Sequence, residues 1–132
     1  MLKKVLLGIG AAALAAVLVP ANAVAQGMDM PAAPEGEEVT IQGTVIDVSC
    51  KFRHGLTGAD HRMCAQVCAD RGIPLAILGN DGKLYLAVSA GMPGDAQNER
   101  LKEFAEQEVT VQGTVYEAGG ANAIQIESIR RS

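Results

Sequence analysis

The segment Val39-Thr-Ile-Gln-Gly-Thr-Val45 returns as Val109-Thr-Val-Gln-Gly-Thr-Val115, with six of seven residues identical. Only 17 residues follow the second copy, so tandem domains are excluded on length. The copies are better read as two strands with the same structural job. Each alternates apolar and polar residues, at 39, 41, 45 and at 109, 111, 115, as a half-buried strand does. Each carries a glycine, Gly43 or Gly113, at the phase where a large side chain belongs. A glycine inside a strand marks a bulge, a sharp bend or a close backbone approach.

The chain between the copies has a readable order. Asp60 to Arg71 has helical character, with Gly72 and Pro74 as stop signals. Leu75 to Leu78 and Leu84 to Val88 are apolar runs joined by Gly79-Asn80-Asp81-Gly82-Lys83, which predicts a hairpin. Ala90 to Ala96 reads as a loop. Asn98 to Gln107 reads as a short amphipathic helix with Leu101, Phe104 and Ala105 on one face, capped by Asn98 or Asp95. After the second copy, Gly119-Gly120 turns the chain into a last strand, Ala123 to Ile129.

Five strands with a helix between the third and fourth is the order of an oligonucleotide/oligosaccharide-binding (OB) barrel. The expected fold is therefore all-β: a five-stranded OB-like barrel with two short helices. One helix carries cysteine and histidine and is inserted between strands 1 and 2. In such a barrel the first and fourth strands are neighbours, so the two copies should lie side by side. Over about Val39 to Ile129 the chain also resembles small exported bacterial proteins with an OB-like barrel, the BOF group. It is similar as well to exported proteins with the pattern G-x-V-x-D-x-x-C followed by H-x-x-C-x-x-x-C. Here those residues are Gly43, Val45, Asp47, Cys50, His61, Cys64 and Cys68. The resemblance implies a fold and an exported location, and carries no activity with it. The cysteine segment between strands 1 and 2 departs from the BOF pattern.

That segment, Ser49 to Cys68, holds all three cysteines and both histidines of the chain. At ~100° per helical residue, His61, Cys64 and Cys68 fall within ~60° of arc. One stripe thus presents an imidazole and two sulfurs, and Cys50 arrives from the end of the first strand as a fourth ligand. A Cys3His set of Cys50, His61, Cys64 and Cys68 suits tetrahedral zinc, and thiolates also suit copper(I) or an iron–sulfur centre. No C-x-x-C-H is present, so covalent haem attachment is not indicated. His54 reads as a loop residue and Met63 as core. Asp47 either orients His61 or His54, or faces solvent on strand parity. Lys51, Arg53, Arg62 and Arg71 make the segment basic, which would favour thiolate.

A disulfide competes with the metal. Cysteines of exported proteins usually pair, and three leave one over. Cys64 with Cys68 is a poor pair, because side chains one helical turn apart run parallel. Cys50 with Cys64 or Cys68 closes a loop of 15 or 19 residues and would stabilise by ~3 kcal/mol.

The N-terminus bears on the compartment. Lys3 and Lys4, an uncharged apolar run from Val5 to Val19, and small residues at Ala21, Ala23 and Ala25 make a secretory signal peptide over 1–25. A flexible leader is expected over 26–38, where Met28 and Met30 are weak copper(I) candidates, and the barrel domain over 39–132. Losing Lys3 and Lys4 moves the formal net charge from −4 to −6. An acidic chain with no tryptophan, two tyrosines and two phenylalanines lacks what nucleic-acid binding needs. There is no P-loop, no Ser/His/Asp set and no paired-carboxylate motif, so an enzyme is not the default. A thiol redox protein is disfavoured by the absence of a C-x-x-C pair, and two readings remain open. One is a periplasmic or secreted module binding zinc or copper. The other is a disulfide-stapled module that binds a protein, a glycan or an envelope component.

Overall fold

A computed structural model describes residues 32–132. The signal peptide expected over 1–25, and Met28 and Met30, lie outside the described residues. Five strands form a closed barrel: β1 (Glu37–Asp47), β2 (Leu75–Gly79), β3 (Leu84–Val88), β4 (Glu108–Ala118) and β5 (Ala121–Arg131), in the order β1-β2-β3-β5-β4. The β3–β5 pair is parallel and the rest are antiparallel. The all-β OB-like barrel expected from the sequence is the fold observed. Three short helices accompany it where two were expected. α1 (Val48–His54) and α2 (Arg62–Asp70) lie between β1 and β2, linked through a 3-10 turn at Ala59–His61. α3 (Asn98–Leu101) runs into a second 3-10 turn, Lys102–Phe104.

The two repeated segments pair with each other. In the antiparallel β1–β4 ladder Ile41 faces Val111, Val39 faces Gly113 and Gly43 faces Val109. The glycines serve the opposite edge of each strand. A Cβ on Gly43 would stand 2.4 Å from the Leu78 carbonyl oxygen on β2. On Gly113 it would stand 2.2 Å from the Gln125 carbonyl oxygen on β5, where the β4–β5 register shifts. Gly113 thus sits at a bulge, and Gly43 at a close backbone approach.

Ile41, Val45, Ile77, Val109, Val111, Ile124 and Ile126 fill the barrel. Leu101 and Phe104 are buried from the α3 segment, so the face expected there is the one buried. The expected cap is not. Asn98 instead donates from Nδ2 to the Ala69 and Ile73 carbonyls at 3.0 and 2.8 Å, and accepts from the Leu75 amide at 3.0 Å. It closes the end of α2, so α2 and α3 are joined by a side chain rather than by sequence.

The β2–β3 turn carries one titratable pair. The Tyr85 hydroxyl donates to Asp81 Oδ2 at 2.5 Å, and the Lys83 amide donates to Oδ1 at 2.9 Å. The Tyr85 hydroxyl and the Lys83 amide hold the Asp81 carboxyl below its usual range. Burial, and then Asp81, push Tyr85 up to about 12. Asp81 therefore contributes stability that is present above its unfolded pKa and lost as pH falls through the lower folded value. Tyr85 contributes stability that is full below its unfolded pKa near 10 and lost as pH rises towards 12. Tyr85→Phe should lower stability at pH 7 by ~1 kcal/mol, near the low end because Asp81 is exposed. It should also flatten both pH edges. Urea midpoints of parent and variant from pH 3 to 11 test this, and superimposable curves would contradict it.

Candidate metal centre

The centre is built where β1 runs into α1. Asp47 ends β1 and begins the helix: its Oδ1 accepts from the Cys50 amide at 2.9 Å. A carboxylate is a strong N-cap, and Gly55, left-handed at φ 67°, stops the helix after its seven residues. Cys50 is therefore presented by α1 and not by the strand end expected from the sequence. Asp47 is fully buried, against the parity argument that turned it to solvent. Alternation fails there because the last residues of β1, Val45, Ile46 and Asp47, are all enclosed.

His61 stands in the 3-10 turn before α2 and is 7% exposed. Its Nδ1 lies 2.9 Å from Glu106 Oε1. The other Glu106 oxygen accepts from the Thr57 hydroxyl and the Gly58 amide, both at 2.8 Å. Glu106 thus acts as an acceptor throughout, so Nδ1 is the donor to it, and in the neutral imidazole Nε2 is the nitrogen with the lone pair. Glu106 is itself fixed by β1, because its amide donates to the Val45 carbonyl at 2.8 Å and the Gln107 carbonyl accepts from the Val45 amide at 3.1 Å. It adopts φ 57°, a left-handed conformation uncommon for a side-chain-bearing residue. Sequence reasoning passed over Glu106, since nothing local marks it.

α2 presents Cys64 and Cys68, the first exposed and the second half-buried. Arg62 and Gln66 tie this helix to the Glu103 and Lys102 carbonyls. The result is two sets of donors. Cys50, Cys64 and Cys68 lie within 4.8 Å of one another, as do Asp47, Cys50 and a ring nitrogen of His61. All four residues expected from the sequence, Cys50, His61, Cys64 and Cys68, therefore come together, and Asp47 joins them. All three cysteines are free thiols. His54 ends α1, exposed and outside both sets, as a surface residue. Met63 is 77% exposed and not core, because the buried stripe of α2 runs through Ala65 and Ala69.

Two acceptors in this region are enclosed without a well-formed hydrogen bond: Asp47 Oδ2 and His61 Nε2. Burial opposes the charge of Asp47, but the Cys50 amide and the nearby Cys68 and Cys50 thiols outweigh it and hold the carboxyl below its usual value. The thiols respond in the other direction. Burial and Asp47 push Cys50 up, and Asp47 first, then burial, push Cys68 up to about 12. The basic residues of the segment do not reverse this effect of burial and Asp47. Without a cation Cys50 and Cys68 keep their protons at neutral pH. The series Cys50, His61, Glu106 also has the parts of a thiol, a base and an orienting carboxylate. Asp47 opposes the thiolate that such chemistry requires. A bound metal ion, in contrast, would gain from every one of these groups.

Comparison with protein-family models, curated proteins and solved structures finds no match for this chain.

Proposed function

We propose that this chain is an exported OB-like module, periplasmic or secreted, that binds a transition-metal ion, zinc or copper(I), through Cys50, His61, Cys64 and Cys68. One observation carries the reading: the Nε2 lone pair of His61 is buried without a partner while Glu106 holds the opposite nitrogen. A carboxylate that fixes the tautomer and orientation of an imidazole is the usual support of a metal-binding histidine. The gathering of three thiols beside it supplies soft ligands.

Titration of the reduced protein with zinc tests the proposal. His61→Ala should weaken binding by more than ~100-fold, because losing a ligand costs more than losing its support. His54→Ala should bind like the parent. Affinity should fall as the solution is acidified, since thiolate ligands must lose protons to bind. Equal affinity in parent and His61→Ala, or no binding at all, would sink it.

The second reading is a stapled interaction module. It is favoured by the proximity of the three thiols and by apolar side chains left open on the inserted segment: Phe52, Leu56, Met63 and Val67 are 71, 46, 77 and 45% exposed. Its partner would be a protein, a glycan or an envelope component. On that reading Cys50→Ser destabilises the oxidised fold, and His61→Ala has no effect on metal content.

A further inference from the structure

The donors are not arranged as one tetrahedron. Two bonds of ~2.3 Å at a tetrahedral angle place two sulfurs ~3.8 Å apart, so ligands of one ion sit in a single tight group. Here they form two triangles that share the sulfur of Cys50, with Cys68 of the outer set also close to Asp47 of the inner one. The triangles differ in depth. Asp47 and His61 are buried, whereas Cys64 is exposed and Cys68 half-buried. They differ in chemistry too. The inner triangle offers oxygen, sulfur and nitrogen; the outer offers sulfur alone. Asp47 and His61, the two residues of the inner triangle besides Cys50, each also carry an enclosed atom without a hydrogen bond, Oδ2 and Nε2. A single ion held by the thiols would leave Asp47 unused.

Building on the metal-binding reading, we infer that the centre is dinuclear, with Cys50 as a thiolate bridge between an inner ion on Asp47 and His61 and an outer ion on Cys64 and Cys68. A thiolate sulfur has lone pairs enough to bind two ions. Charge supports the count. Three thiolates and one carboxylate carry four negative charges, which two divalent ions neutralise and one does not. The inner ion sits in a mixed set that suits zinc, and the outer set suits a softer ion equally well. Asp47 has two roles on two oxygens: Oδ1 caps α1 and so positions Cys50, while Oδ2 binds the inner ion.

Native mass spectrometry of the reduced protein loaded with zinc reads the stoichiometry. Two ions per chain are expected in the parent. Asp47→Asn and His61→Ala should each lose the inner ion and keep one on the outer triangle, so the loss of more than ~100-fold expected of His61→Ala is a loss at the inner site. Cys64→Ser should also hold one, on the inner. Asparagine caps helices as well as aspartate does, so Asp47→Asn should keep α1; far-UV circular dichroism checks each variant. Loading with cobalt(II) identifies the ion that stays. Sulfur-to-metal charge-transfer absorption should be about threefold stronger in His61→Ala, with three thiolates on the ion, than in Cys64→Ser, with one. One ion in the parent would overturn the dinuclear centre and leave the metal-binding proposal standing. Two ions retained in both His61→Ala and Asp47→Asn would also overturn it. No ion in the parent would overturn both.

Discussion

Gly113→Ala should lower the stability of the barrel by ~3 kcal/mol, at the upper end of what overpacking costs. The reason is the partner of the clash. A methyl group there would meet the Gln125 carbonyl at 2.2 Å, and that oxygen belongs to the backbone of β5. A flexible side chain could swing away; a strand locked in a closed barrel cannot. Gly43→Ala should behave alike, since it would meet the Leu78 carbonyl at 2.4 Å and the Gly79 Cα at 2.8 Å. Valine at either position should be worse. For a domain stable by ~5–15 kcal/mol, such losses bring it near the threshold of folding. Gln112→Ala, at the exposed neighbouring position, should stay within ~0.5 kcal/mol of the parent. Urea midpoints for the set decide the matter. A Gly113→Ala midpoint equal to that of Gln112→Ala would remove the close-approach argument.

Glu106→Ala should damage stability and metal affinity together. The carboxylate accepts from the Thr57 hydroxyl, the Gly58 amide and His61. Removing it strands these groups, at ~1–3 kcal/mol for each that stays buried. Thr57 is exposed and can turn to water, so a total near ~3 kcal/mol is expected. Zinc affinity should fall by ~10–100-fold as the imidazole loses its orienting partner. Glu106→Gly separates the causes, because glycine accepts the left-handed φ of this position without strain. If the carboxylate matters, the glycine variant still loses the affinity. Parent-like zinc binding by both variants would show that Glu106 does not support the centre.

The barrel was legible in the sequence because its signals are local and repeated. Alternation at Val39 and Val109, the Gly79–Lys83 turn and the apolar face of Leu101 and Phe104 each specify their own element. Cys64 and Cys68 were legible for the same reason, since they lie one turn apart on α2, whereas His61 stands in the 3-10 turn before that helix and not on its stripe. α1 was missed although its signals were present, with Asp47 as cap and Gly55 as stop. A strand reading carried past Val45 hid them. Glu106 and Asn98 were not legible at all. Their partners lie 45 and 23 to 29 residues away in the chain, and only the closure of the barrel brings them within reach. Met63 departs from the core reading because the face of α2 that packs on the barrel is made by Ala65 and Ala69 alone.

The pairing of the repeated segments carries a liability along with its stability. A strand that matches its near-copy antiparallel, with Ile41 facing Val111 at the centre, is complementary to itself. The same ladder would form between Val39–Val45 of one molecule and Val39–Val45 of another, in the same register, with Ile41 opposite Ile41 and each Val39 opposite a Gly43. Closure of the ring is what withholds that edge from neighbouring molecules. The segments that must meet are 70 residues apart, so an intermolecular match competes with ring closure at high concentration while the chain is still open. Dilution, rather than any added contact, favours the monomeric barrel.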